Sequence, residues 1–354
     1  MKPFSRRDFL ASTSAGLALV SAPAALLNGC AKQVSPIGNG LAPLPDNPFL
    51  QWFGIDEPII RVVMAELTSR GADHADLYFQ HTRSNNVSME DGIINQANTS
   101  VDQGVGLRVV VGDQVGYAYT EELTLEAMLG AARTAAAIAS SGAAVQPQAF
   151  SLRGTDNFYH LAVPWSEVGV EQKLPILTRV EELAKGGDSS IKNVNISYSD
   201  SDTRVLVASL DGGIYVDRRP MTRLWCRCTA QKGDKTVSQG ANLAGRRGID
   251  WYTDDQLQLV AKQAVDRTTI LFEATRPPAG EMPVILAAGA SGILLHEAIG
   301  HGMEADFNRK GVSIYSDLMG EQVAPDFVNI IDDGTQPFER GALNVDDEGH
   351  PTER

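Results

Sequence analysis

The chain has 354 residues, 43% hydrophobic and 21% charged, a composition that excludes wholesale disorder, collagen-like repeats and a disulfide scaffold. Its formal net charge of -14 repels phosphate backbones, and no basic patch offsets it, so general nucleic-acid binding is excluded. The length suits about two domains, and beyond the N-terminus no stretch approaches the ~20 apolar residues of a membrane span.

The chain opens Ser5-Arg6-Arg7-Asp8-Phe9-Leu10, followed by a run rich in Ala, Leu, Val, Ser and Gly to Leu27. A charged start before an apolar run is the layout of an export signal, and the paired arginines resemble a twin-arginine signal. Leu27-Asn28-Gly29-Cys30 resembles a lipobox, which implies lipidation of Cys30. Cleavage near Ala22-Pro23-Ala24 is the alternative and would leave Cys30 unmodified; a buried N-terminal helix is opposed by Pro23. These features place the protein in a bacterial cell envelope, in the periplasm, touching membrane only through a lipid anchor. The leader spans 1–29 and is net +2, so the remainder carries -16. Residues 30–50, rich in Pro, Gly and Asn, read as a tether.

From Asp56 to Arg70, apolar residues fall on one helical face, with Gly71 placed to cap the end. Ala75 to Thr120 alternates in short runs broken by Asp91-Gly92 and Gly112-Asp113, the pattern of antiparallel hairpins. Thr124 to Ser141 reads as a second helix. Breaker-rich text from Ser141 to Trp165 marks a boundary, giving an N-terminal domain over 51–145 and a second over 146–354. In the second, Val170 to Lys185 reads as a helix, Asn193 to Gly245 as strands, Asp254 to Phe272 as a helix capped by Thr253, and Met282 to Ala288 as a buried strand. The expected fold class is α+β: two domains of antiparallel sheets with packed helices, the second carrying the helix described next.

That helix reads His296-Glu297-Ala298-Ile299-Gly300-His301. Imidazoles are good zinc ligands, and an adjacent carboxylate can take a proton from a metal-bound water. Zinc peptidases usually space the histidines four apart, whereas here they are five apart. Residues four apart differ by about 40° around a helix and share a face, but residues five apart differ by about 140°. A local i to i+5 turn, or a break at Gly300, brings the rings back together. His296 and His301 are therefore the candidate ligands and Glu297 the candidate general base; two core histidines beside a surface glutamate is the other reading. Glu304 and Asp306 follow closely enough to orient a ligand, or else to cap a turn.

The stretch from His296 to Arg309, with Lys310-Gly311-Val312-Ser313, Asp332-Asp333-Gly334-Thr335 and Asp346-Asp347-Glu348-Gly349, resembles the TldD/PmbA family of zinc peptidases, on the TldD-like branch. Weaker similarity runs through Gly104-Val105-Gly106-Leu107-Arg108 and Gly116-Tyr117-Ala118. The resemblance implies hydrolysis of short or unfolded peptides, zinc held by His296 and His301 with Glu297 catalytic, and a PmbA-like (TldE) partner subunit or a homo-oligomer. It also implies a third ligand, a cysteine C-terminal to Arg354, so the second domain is expected to be incomplete at its C-terminus.

Substitutes within the chain are weak. Cys226 and Cys228 alternate onto one strand face and read as small buried residues. His350 sits in a polar tail. The aspartate pairs 332/333 and 346/347 read as turn formers, and Gly289-Ala290-Ser291-Gly292 lacks a full phosphate-loop pattern. Two alternatives to a peptidase stand: a non-catalytic envelope lipoprotein that binds peptides or a partner, and a structural metal closed by a fourth ligand.

Overall fold

The structure is a computed structural model that describes residues 47–140, 142–289 and 291–354. The leader, Cys30 and most of the expected tether lie outside these residues. The last of that tether is helical: Asn47 accepts hydrogen bonds from the Phe49 and Leu50 amides, and Pro48 starts α1 (Pro48–Phe53) with a φ already suited to a helix. Asp56 caps α2 (Glu57–Leu67). No helix among the described residues is long and apolar enough to cross a membrane.

Strands β1 (His74–Glu90), β2 (Ile93–Val111), β3 (Gln114–Thr120), β4 (Ser151–Leu152), β5 (Ile191–Ser209), β6 (Gly213–Lys232) and β7 (Lys235–Gly245) form one sheet. Its order is β3-β2-β1-β5-β6-β4, with β7 also on β6. All pairs are antiparallel except the short β4 on β6. The fold class is α+β as expected, and strands from both sequence segments share this sheet because β1 pairs with β5 from Asp76 to Glu90.

Strands β1, β5 and β6 each serve two cores. One end of β1 and β5 places Leu77, Phe79, Leu206 and Ala208 against α2 and α3 (Leu125–Ile138). The other end places Val87, Met89, Val194, Ile196 and Tyr198 against α4 (Val170–Gly187) and α5 (Asp254–Thr269). Between the cores the sheet is polar: Thr82 meets Thr203 at 3.0 Å, and the Asn85 amide donates to Asp200 at 2.7 Å. From α4, Lys173 reaches Asp200 at 2.5 Å with both side chains buried, and burial raises the Asp200 pKa.

Three local expectations are corrected. The Thr253 hydroxyl makes no capping bond, although its backbone is extended as a cap requires. Its helix ends as a 3-10 turn over Ile270–Phe272. Met282 to Ala288 is no buried strand: it pairs with nothing among the described residues and is exposed, Ile285 at 95%. An apolar run becomes a strand only where a neighbour supplies a ladder.

Candidate metal centre

The residues 292–303 form a helix whose middle is widened. After α6 (Gly292–Leu295), a π turn occupies His296–Gly300 and α7 (His301–Met303) completes the run. The His301 amide donates to the His296 carbonyl, an i to i+5 bond. Of the two distortions that the spacing allows, the helix adopts the widened turn and stays unbroken at Gly300, whose φ of -55° and ψ of -53° are helical.

The π turn cancels the angular mismatch. The two imidazole rings lie 4.5 Å apart between centroids, at 68° to each other. One donor atom from each of His296, Glu297 and His301 falls within 4.8 Å of the others, the one such cluster among the described residues. Two imidazoles and a carboxylate are a donor set that suits zinc.

Glu304 completes the geometry. The chain turns extended at this residue (ψ 135°), and its carboxylate lies 2.6 Å from His301 Nδ1 rather than capping the next helix, α8 (Ala305–Arg309). A carboxylate on Nδ1 fixes the ring orientation and tautomer, leaving Nε2 as the free ligand atom. That Nε2 faces Glu297, 3.5 Å from its Oε2. The Glu304 contact, foremost, raises the His301 pKa above the ordinary imidazole value. Asp306 lies on α8, with no side-chain bond to the cluster.

The turn after the helix is tied back onto it. The Gly302 carbonyl accepts from Asn308 Nδ2 at 3.0 Å and from the Ser313 hydroxyl. A Cβ at Gly302 would sit 2.7 Å from the Tyr315 ring, so glycine is the residue that lets the loop close. The substitutes considered for a third ligand stay away. Cys226 and Cys228 are buried in the second core, and His350 is exposed, 3.7 Å from Asp346.

Sequence reasoning missed how the acidic motif is used. Asp346 does form the expected turn, accepting from the Glu348 and His350 amides. Its neighbours bind arginines: Asp347 pairs with Arg219 and Glu348 with Arg108. A motif with more acids than a turn needs was the available signal.

Three family models match in order along the chain: PmbA/TldA metallopeptidase domain 1 over residues 75–139, the central domain over 163–272 and the C-terminal domain over 279–354. The chain belongs to the TldD/PmbA family. It is 36% identical over 294 residues to the metalloprotease TldD homolog of Haemophilus influenzae, covering 81% of this chain and 61% of that protein. It is 31% identical over 307 residues to the Buchnera aphidicola (Acyrthosiphon pisum) homolog, covering 85% and 64%. A Saccharolobus solfataricus relative named a zinc metalloprotease TldD homolog is 25% identical over 290 residues, covering 79% and 61%. The chain thus spans about three fifths of the length of these relatives. In fold it is similar to the crystal structure of TldE from Thermococcus kodakarensis, with a TM-score of 0.64, 17% identity, and 84% of this chain and 66% of that one covered.

Proposed function

We propose that the protein is an exported zinc-dependent peptidase acting on short or unfolded peptides. The observation that carries the reading is the π turn at His296–Gly300, which gathers two imidazoles and a carboxylate where a regular helix would separate them. In this reading His296 and His301 hold the ion, and Glu304 keeps the His301 ring oriented with Nε2 free. A bound zinc ion supplies Lewis acidity toward a carbonyl oxygen and acidity to a water. Glu297 takes the proton of the attacking water and delivers it to the leaving amine.

The names of the relatives, metalloprotease and zinc metalloprotease, support the reaction class. The fold shared with a TldE supports a second subunit of the same family, PmbA-like or a copy of this chain, as partner. The paired Arg6-Arg7 and the Cys30 lipobox support twin-arginine export to the periplasm with a lipid anchor.

The test is Glu297→Gln in the full chain, with zinc content and cleavage of an unstructured peptide both measured. The expected result is unchanged zinc and cleavage reduced at least about a hundredfold. Cleavage at the parent rate removes Glu297 from the mechanism. Zinc-free protein with no chelator-sensitive cleavage by the parent replaces the peptidase with a peptide-binding envelope lipoprotein.

A further inference from the structure

The helix that carries the metal centre ends abruptly, and one side chain ties down its end. After α7 the backbone turns extended at Glu304, with φ of -60° and ψ of 135°, so the last helical carbonyls lose the partners that a further turn would supply. The Asn308 side-chain amide has two N–H donors and gives them to two of these acceptors, the Gly302 carbonyl at 3.0 Å and the Glu304 carbonyl at 2.8 Å. The two bonds bracket the extended residue.

Glu304 needs such a hold. Its carboxylate reaches His301 Nδ1 at 2.6 Å, but the two side chains are 43% and 46% exposed. A solvated pair of this kind gains little once a long side chain gives up its freedom to form it. The contact persists when the backbone already aims the Glu304 side chain at the ring. Asn308 is in turn placed by the loop beyond it: the Phe307 carbonyl accepts from the Val312 and Ser313 amides at 3.0 and 3.3 Å, and Asn308 is half-buried.

The geometry points to Asn308 as a positioning residue: it clamps the backbone at Glu304, keeps that carboxylate on His301 Nδ1, and so keeps Nε2 turned toward Glu297. For the metal this rests on the zinc reading above; the clamp itself rests on the hydrogen bonds alone. Removing the amide strands neither carbonyl. Gly302 keeps the Ser313 hydroxyl, and Glu304 keeps the Asn308 backbone amide at 3.2 Å. Alanine is also a better helix former than asparagine within α8.

The experiment compares the full chain with Asn308→Ala, with Asn308→Leu, which keeps the bulk without the donors, and with Asn308→Ala in a Glu304→Gln background. Zinc affinity is read by chelator competition, and circular dichroism checks each fold. The metal-free proteins, labelled with 15N-histidine, report the His301 tautomer at a pH above the ring's titration. Both single variants are expected to weaken zinc by about tenfold, as loss of support behind a ligating histidine does, and to shift the His301 signal from the Nδ1–H form toward a mixture. In the Glu304→Gln background Asn308→Ala is expected to add no further loss, because the two residues act as one unit. Folded single variants with the parent's affinity and tautomer, or equal losses in both backgrounds, overturn the inference. A parent that binds no zinc ends the peptidase reading, and the His301 signal then decides alone: a shift in the variants upholds the clamp, and no shift overturns it.

Discussion

Arg219, in the middle of β6, holds Asp347 Oδ1 at 2.8 Å while its Nε reaches Asp217 Oδ2 at 3.0 Å. Its remaining nitrogen donates to the Val345 carbonyl at 2.8 Å. One guanidinium thus fastens the chain around residue 345 to the sheet. Tyr159 and Asn344 close the arrangement from the other side, donating to Asp217 at 2.7 and 2.8 Å. Burial, then the neighbouring Asp217, drives the Tyr159 pKa upward, so the phenol stays a donor.

Removing Arg219 leaves Asp217, fully buried, without its cation. Arg219→Ala is expected to destabilise the protein by about 3 kcal/mol, the usual cost of breaking a buried pair from one side. Urea unfolding followed by fluorescence checks this; a loss within about 0.5 kcal/mol, the size of an ordinary surface substitution, contradicts it.

The Lys173–Asp200 pair makes the same point in the polar middle of the sheet. Lys173→Met should cost about 3 kcal/mol by stranding a buried carboxylate, whereas Lys173→Met combined with Asp200→Asn should recover much of that. Thermal denaturation of both variants decides it, and equal losses refute the pairing.

Glu304 is expected to act through His301. Glu304→Gln should weaken zinc binding by about tenfold to a hundredfold, as loss of a carboxylate behind a ligating histidine does. Competition with a chromogenic chelator measures the affinity. An unchanged value shows that the Nδ1 contact does not serve the metal.

His74 provides a separate pH signature. Its pKa is raised, chiefly by the hydrogen bond to Asp76 at 3.1 Å, with burial opposing. A raised folded pKa means that the stabilisation is fully present below the unfolded-state value and fades as pH rises through the folded one. The stability difference between the parent and His74→Gln should therefore be largest on the acid side and vanish in mild alkali. Denaturant midpoints across that range test it, and a difference that grows with pH reverses the assignment.

The elements were legible in the sequence because they are written locally. Alternation marks strands, Asp91-Gly92 marks a hairpin, and the periodicity after Asp56 marks a helix, each set by neighbours a few positions away. His296-Glu297 and His301 form a rare triplet that marks the candidate metal centre, and their spacing alone required a distorted helix. Glu304 was ambiguous between capping and orienting until the extended backbone at that residue turned its carboxylate onto His301.

Other features needed the third dimension. That Asp347 and Glu348 answer Arg219 and Arg108 depends on residues more than a hundred positions apart meeting across the sheet, which no local pattern encodes. The apolar run Met282 to Ala288 carries a strand's composition and pairs with no strand among the described residues. Side-chain period and turn chemistry are properties of a short segment, so the sequence determined most of the elements, Met282 to Ala288 excepted. Hydrogen-bond ladders and ion pairs need a partner from elsewhere, so only the tertiary structure decided which of these residues meet.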